Sequence, residues 1–385
     1  MNSFKLFSYG PGRHAPAPCR ASMTTRAAIL CAAVLGAALP ARAEVLDRPA
    51  ERSAAAFKRP MTGIAVQGDS AISVGVHGTI LVSQDAGKTW KQAVVPVSSD
   101  LTNVRFSGPK LAWAVGHDGV VLRSLDAGQT WTRVLDGRTL LAVLDKHYRA
   151  QVAMGVADAA AIVDEVARAA ALSATPGVLP YPFLDIRIGA DGEGFVAGAF
   201  GLLLRTGDGG KTWEPWLEKA GNDRRMHLYA LEQTADGKLY LAGEQGLLRR
   251  LDRAAGRFVE VATPYGGTWF GLASNEAGLV AFGLRGNAYL SADGGTAWKP
   301  LALGTQATVV GAFACAPGEL AFVTQAGQVL IHRGGATADA QVARNGEIFG
   351  AAPAGSGQVA LAGTGGARLA KLPGCGADAA RMGKN

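Results

Sequence analysis

The chain contains no Cys-x-x-Cys pair, no two histidines at helical spacing and no acidic loop of the calcium-binding kind, which argues against a metal centre and leaves no cofactor to expect. Cysteine is scarce, four in 385 residues. The apolar run at residues 27–39 falls short of the roughly 20 residues that a membrane-spanning helix needs. Aromatic residues make up 7% and charged residues 18%, against 52 glycines, a balance that suits the tight turns of one large β domain rather than disorder.

That apolar run follows Arg13, Arg20 and Arg26 and precedes Ala41-Arg42-Ala43, which offers the small residues a signal peptidase reads. Residues 1–43 are therefore expected to be a signal peptide for the general secretory route, starting at Met1 or Met23 and without a lipid-attachment site at Cys31. Export puts the mature protein in the periplasm, with no transmembrane segment once the leader is removed. The leader holds Lys5, Arg13, Arg20, Arg26 and Arg42 and no acid, so the formal charge of +7 falls to about +2 without it. Nucleic-acid binding loses its electrostatic support. Cys315 and Cys375 remain, and in an oxidising compartment they are either a disulfide tying the C-terminus to the domain or two unrelated thiols.

What the chain does have is repetition. The octapeptide Ser/Thr-x-Asp-x-Gly-x-Thr-Trp occurs at residues 83–90, 124–131 and 206–213, with a looser copy at 291–298. Asp85 and Asp126 are 41 positions apart, and Asp126 and Asp208 are 82 apart, twice that interval. A fixed period of this size means stacked like units. In each copy the Asp accepts backbone hydrogen bonds within its own turn, the Gly supplies positive φ, and the Trp carries a large apolar ring into the next strand. The structural set is thus Asp85, Gly87 and Trp90; Asp126, Gly128 and Trp131; Asp208, Gly210 and Trp213; and Asp293, Gly295 and Trp298.

A second element, an apolar strand, Gly-x-x-Gly and another apolar strand, stands upstream of each octapeptide, and seven such hairpins run along the chain. Four-stranded units of about 40 residues arranged radially solve the exposed-edge problem, so the expected fold is all-β, a seven-bladed β-propeller spanning residues 44–372 with a tail at 373–385. The seventh blade shows three strands, and the stretch before Pro60 is expected to supply the fourth and close the ring. Between blades 2 and 3, at about residues 139–180, an Ala- and Leu-rich stretch with charges three or four apart reads as a helical hairpin bent near Gly155. It is expected to pack on the propeller flank or to dock a partner.

The aspartates of the octapeptide do not read as catalytic, because the repeat spreads them around the rim while glycoside hydrolysis needs two carboxyl groups within about 10 Å. Arg105 and Arg187 occupy equivalent places in the first strands of blades 2 and 3, and Arg123, Arg205 and Arg249 precede or flank the octapeptide position. These five are the candidate anionic docking residues, weighed against simple pairing with acids such as Asp185, Glu193 or Glu232.

The octapeptide resembles the Asp-box, or BNR, repeat of sialidases and related propellers, but the Phe-Arg-Ile-Pro motif of sialidases is missing. Its alternation with the Gly-x-x-Gly hairpin from about Val66 to Leu372 resembles the photosystem II stability and assembly factor family. That resemblance implies an exported, monomeric, non-catalytic scaffold that docks a membrane-protein complex from the periplasmic side, or from the lumenal side in a photosynthetic host. It also leaves open an accessory role beside a resistance-nodulation-division type exporter. A sialidase-like glycan-binding module is the remaining alternative.

Overall fold

The computed structural model describes residues 44–355, 357–373 and 375; the leader expected at residues 1–43 and the rest of the tail lie outside them. Among the described residues there are seven antiparallel sheets, each built from consecutive strands, and together they form a seven-bladed propeller. Six blades have four strands, beginning in blade 1 with Met61–Gln67, Ser70–Gly75, Ile80–Ser83 and Lys91–Gln92. The seventh has three, Ile348–Pro353, Gln358–Gly363 and Gly366–Lys371.

The stretch before Pro60 does not add a strand to that blade. It forms a 3-10 helix, Ala54–Lys58, that lies against the start of Gly366–Lys371. The physical reason is local: Ala54-Ala55-Ala56 has poor strand propensity, and Pro60 cannot donate to a ladder.

The innermost strands set the geometry of the ring. Their first residues, Met61, Leu101, Phe183, Leu228, Trp269, Val309 and Ile348, are all buried between blades. A bulge follows at the second residue in every blade. Because a bulge turns its extra residue out of the ladder, Thr62, Thr102, Leu184, Tyr229, Phe270, Val310 and Phe349 ring the mouth of a central channel. At the third residue neighbouring blades come so close that a side chain needs a special fit. A Cβ on Gly63 would lie 3.0 Å from Asn103 Cα, and one on Gly350 would lie 3.3 Å from Gly63 Cα.

Each octapeptide turn is closed as its residues require. In the first copy the Ser83 hydroxyl donates to Asp85 Oδ1 at 2.6 Å and accepts from Gly87 N at 2.8 Å. Asp85 also accepts from the amide and the hydroxyl of Thr89, at 2.8 and 2.6 Å. The copies at Asp126 and Asp208 repeat this set, while Ala297 in the fourth keeps the amide bond to Asp293 and has no hydroxyl to give. The glycines face the preceding blade: a Cβ on Gly128 would meet Ile72 at 2.7 Å, one on Gly210 would meet Trp113 at 2.7 Å, and one on Gly295 would meet Val261 at 2.5 Å. The turns are therefore seams between blades as well as staples within them.

Two turn systems define two faces. The octapeptide turns bond the turn joining the first two strands of their own blade, as in Ala86 N to Asp69 O. The Gly-x-x-Gly turns bond the residue before the innermost strand, as in Val76 N to Pro60 O and Ala199 N to Pro182 O, and so lie at the opposite end. Between blades 2 and 3 the chain forms helices α1, Gly137–Ala153, and α2, Ala159–Ala171, with Gly155 in the turn between them at φ +73°. Asp136 caps α1 by accepting from Arg138 N and Thr139 N, both at 3.0 Å. Leu140, Leu144, Tyr148, Ile162 and Val166 pack on blades 2 and 3, so the hairpin covers their flank. Tyr148 donates to Glu218 at 2.6 Å and accepts from Leu217 N at 3.3 Å. Cys315 in blade 6 and Cys375 are joined, with sulfur atoms 2.07 Å apart.

Two measurements check this account of the turns. Gly209 has φ +71° and open space around its Cβ position, and the equivalent residues Ala86 and Ala127 already sit at positive φ. Gly209→Ala should therefore cost about 1 kcal/mol in urea unfolding, the strain alone, whereas Gly128→Ala adds a collision with Ile72 and should cost about 3 kcal/mol. The second concerns pH. Ser83 and Thr89 hold Asp85 well below the usual carboxylate range, Thr212 and then Thr206 bring Asp208 to about 2, and the Ala297 amide lowers Asp293. Asp126 is lowered as well, burial opposing and Thr130 outweighing it. A depressed folded-state pKa contributes stability that is complete above the unfolded value of roughly 4 and is lost as pH falls through the folded value. The urea midpoint should thus fall between about pH 4 and pH 2, and Asp85→Asn with Asp208→Asn should flatten that fall.

Candidate functional site

The central channel has a volume of about 670 Å³ and is lined by all seven innermost strands. Its wall is two-sided. Blades 2 to 4 contribute Asn103, Arg105, Asp185 and Arg187, the last paired with Glu232, whereas blades 5 to 7 and blade 1 contribute apolar groups such as Phe270, Phe313, Phe349, Ile64 and Val66.

Asp185 organises the charged side. It accepts from Arg105 Nε and Nη2 at 2.6 and 2.7 Å, from Asn103 Nδ2 at 2.9 Å, from its neighbour's amide at Ile186 and from Leu231 N at 2.8 Å. One carboxylate on blade 3 thus ties blades 2 and 4 to its own. Glu232 lies 4.0 Å from Arg105 and 3.5 Å from Arg187, and accepts from the Ser274 hydroxyl at 2.7 Å. Burial works against the Arg105 charge, but Asp185 and then Glu232 outweigh it and hold its pKa above the ordinary guanidinium value.

Of the five arginines singled out in the sequence, the structure brings only Arg105 and Arg187 together. The others sit on the third strands of blades 2, 3 and 4. Arg123 lies over the Trp113 ring at 6.0 Å; Arg205 pairs with Glu193 at 2.9 Å and lies over Trp216 at 5.4 Å; Arg249 donates to the carbonyls of Gly221 and Leu248. Each has a partner within the fold. The four octapeptide carboxylates lie on different blades, each bonded within its own turn.

A feature that the sequence reading missed lies on the face of the Gly-x-x-Gly turns. Tyr181, Phe200, His227, Tyr229 and Phe270 form a continuous aromatic row with successive ring centroids 4.5, 4.9, 6.2 and 5.0 Å apart. It starts beside the helical insertion, crosses the turns of blades 3 and 4 and enters the channel mouth at blade 5. Phe200 is 43% exposed and holds φ +57°, a conformation that costs an L residue energy. The equivalent residues of four other turns are His77, Asp118, Gln245 and Arg285, all polar. That departure from the repeat was the available signal.

Among the described residues the tyrosine hydroxyls and the His227 Nε2 of the row make no hydrogen bond. Phe200 N donates to His227 Nδ1 at 3.0 Å, so the proton of the neutral ring sits on Nε2. Tyr181 and Tyr229 both have raised pKa values, through burial first and then through Glu165 and Glu244 respectively, so they are O–H donors at neutral pH.

Comparison with known proteins places this geometry in context. Residues 57–143 match the family model described as photosynthesis system II assembly factor YCF48. A stretch of 70 residues, 18% of the chain, is 36% identical to the chloroplastic photosystem II stability/assembly factor HCF136 of Arabidopsis thaliana and spans 17% of that factor's length. The structure described as YCF48 bound to D1 peptide superposes with a TM-score of 0.58 at 15% identity, over 82% of this chain and 94% of that one. A streptogramin B lyase structure superposes with a TM-score of 0.62 at 13% identity, over 86% of this chain and all of that one, so the propeller itself is shared with enzymes. Sequence likeness to the photosystem II assembly factors thus covers residues 57–143, and the superposed structures share the propeller fold.

The charged side of the channel gives a direct test. Asp185→Ala should cost about 3 kcal/mol, since it leaves a largely buried guanidinium without its main partner. Arg105→Met alone should cost less, and the double variant should recover at least about 1 kcal/mol of the sum, as a double-mutant cycle by urea unfolding would show.

Proposed function

We propose that this chain is a non-catalytic binding scaffold that holds a segment of a membrane-protein partner against the aromatic face of its propeller. The observation that carries the reading is the row from Tyr181 to Phe270, an aromatic track whose tyrosine hydroxyls have no partner among the described residues and which includes Phe200 where four other turns carry His77, Asp118, Gln245 and Arg285. Aromatic side chains with a polar tip bind extended peptide through large contact area at small entropic cost. The likeness to the assembly factors supports the same reading, since the related structure is described as bound to D1 peptide. The carboxylates of the fold support a non-enzymatic role: the octapeptide aspartates are engaged by their own turns, and Asp185 and Glu232 by arginines. The mature protein in this reading is the exported propeller from residue 44 onward, working outside the cytoplasm. No helix among the described residues is long and apolar enough to cross a membrane.

A photo-crosslinking residue in place of Phe200 tests this in the host. Crosslinking in intact cells should recover an integral membrane protein, and Tyr181→Ala with Tyr229→Ala should reduce recovery from a second crosslinking site at least tenfold without lowering the melting temperature. Recovery of no membrane protein, or of the same amount from the double variant, would overturn it.

A further inference from the structure

Blade 7 ends where the other blades continue. In blade 1 the third strand, Ile80–Ser83, is buried throughout and is followed by Lys91–Gln92, with Ala93 N bonding Ile80 O at 2.9 Å. In blade 7 the third strand, Gly366–Lys371, is the outermost, and its residues after Gly366 are only partly buried or exposed. The 3-10 helix Ala54–Lys58 covers the start of this edge, where a Cβ on Gly366 would lie 2.5 Å from Phe57 O.

Which backbone groups are left open follows from the ladder. Leu372 N bonds Gly357 O at 2.8 Å, and antiparallel bonding alternates, so Arg368 and Ala370 bond inward to Gln358–Gly363. The N–H and C=O groups of Ala367, Leu369 and Lys371 face outward, in the register that Ile80 and Val82 use for the fourth strand of blade 1. No backbone hydrogen bond from these outward groups to another element is present among the described residues. A row of this kind is a template for strand addition.

Charge selects the occupant. Lys371 lies on the edge strand and Lys58 at its start, and neither has a carboxylate partner among the described residues, while Arg368 between them donates to the Ala343 carbonyl at 2.8 Å. Burial lowers the Arg368 pKa with no acid to offset it. The parts of the chain outside the described residues do not supply the complement: residues 1–43 contain no acid, and residues 376–385 carry Asp378 against Arg381 and Lys384.

We infer that the open outer edge of blade 7 takes an extended acidic peptide segment of a partner protein as its fourth strand. This goes beyond the scaffold reading and stands on a different surface, so either can fail alone.

The test uses the full chain and a fluorescein-labelled eight-residue peptide alternating Glu or Asp with Val or Thr. Anisotropy should show binding that weakens at least tenfold when alternate peptide nitrogens are methylated, when Lys replaces the acids, and in a Lys58→Glu, Lys371→Glu variant. Hydrogen exchange should show the amides of Ala367, Leu369 and Lys371 unprotected in the free chain and protected by the peptide. Binding that ignores methylation or charge reversal, or outward amides already protected in the free chain, would overturn the inference.

Discussion

Seven strands can share one axis only if their closest points are small or bonded to one another, and the third residues of the innermost strands meet that condition. Gly63 and Gly350 leave the approach free, Gly311 faces Ala351 of the next blade, Gly271 makes room for Phe282 of its own blade, and Asn103 and Asp185 use their side chains to bond across. The contact runs on from blade to blade: Gly350 against Gly63, Gly63 against Asn103, Asn103 to Asp185, and Asp185 to Leu231. Everything else is hung on this inner ring. The bulge just before it points the mouth residues at the axis, and the octapeptide glycines repeat the same close fit at the rim, where Gly128 meets Ile72 and Gly210 meets Trp113.

The distribution of charge follows from that constraint. Acids that would suggest chemistry are engaged in holding turns or bridging blades, as Asp85 does within its hairpin and Asp185 does across three blades. Other groups lack a carboxylate or hydrogen-bond partner among the described residues: the hydroxyls of Tyr181 and Tyr229 on one face, and Lys58 and Lys371 at the strand edge of blade 7. Such groups recognise extended chains rather than transform small molecules. The helical insertion adds to this by ending at Tyr181, the first ring of the row, while its own apolar stripe is used up against blades 2 and 3.

Much of the architecture was legible from residues alone because each repeat states its own local chemistry. Asp126, Gly128 and Trp131 encode a turn that needs no distant partner, and the spacing of Leu140, Leu144 and Tyr148 encodes a helix with one buried face. The partners of Arg105, Arg187 and Arg205 were also within reach, since Asp185, Glu232 and Glu193 stood among the acids considered. The aromatic row was not legible. Its members come from a loop, a turn and two separate strands, and only the comparison of Phe200 with His77, Asp118, Gln245 and Arg285 marks it. The fourth strand of blade 7 was wrongly expected because ring closure is a global demand, whereas Ala54-Ala55-Ala56 obeys a local preference for a helical turn.

One continuous inner ring, rather than any single blade, holds the molecule together. Native-state hydrogen exchange in low urea, following the amides of Ile64, Val104, Ile186, Leu231, Leu272, Ala312 and Ala351, one from each innermost strand, distinguishes a shared ring from independent blades. A ring that opens only as a whole requires all seven to converge on one opening free energy with one urea dependence. Blades that open separately, each with its own smaller urea dependence, would contradict it.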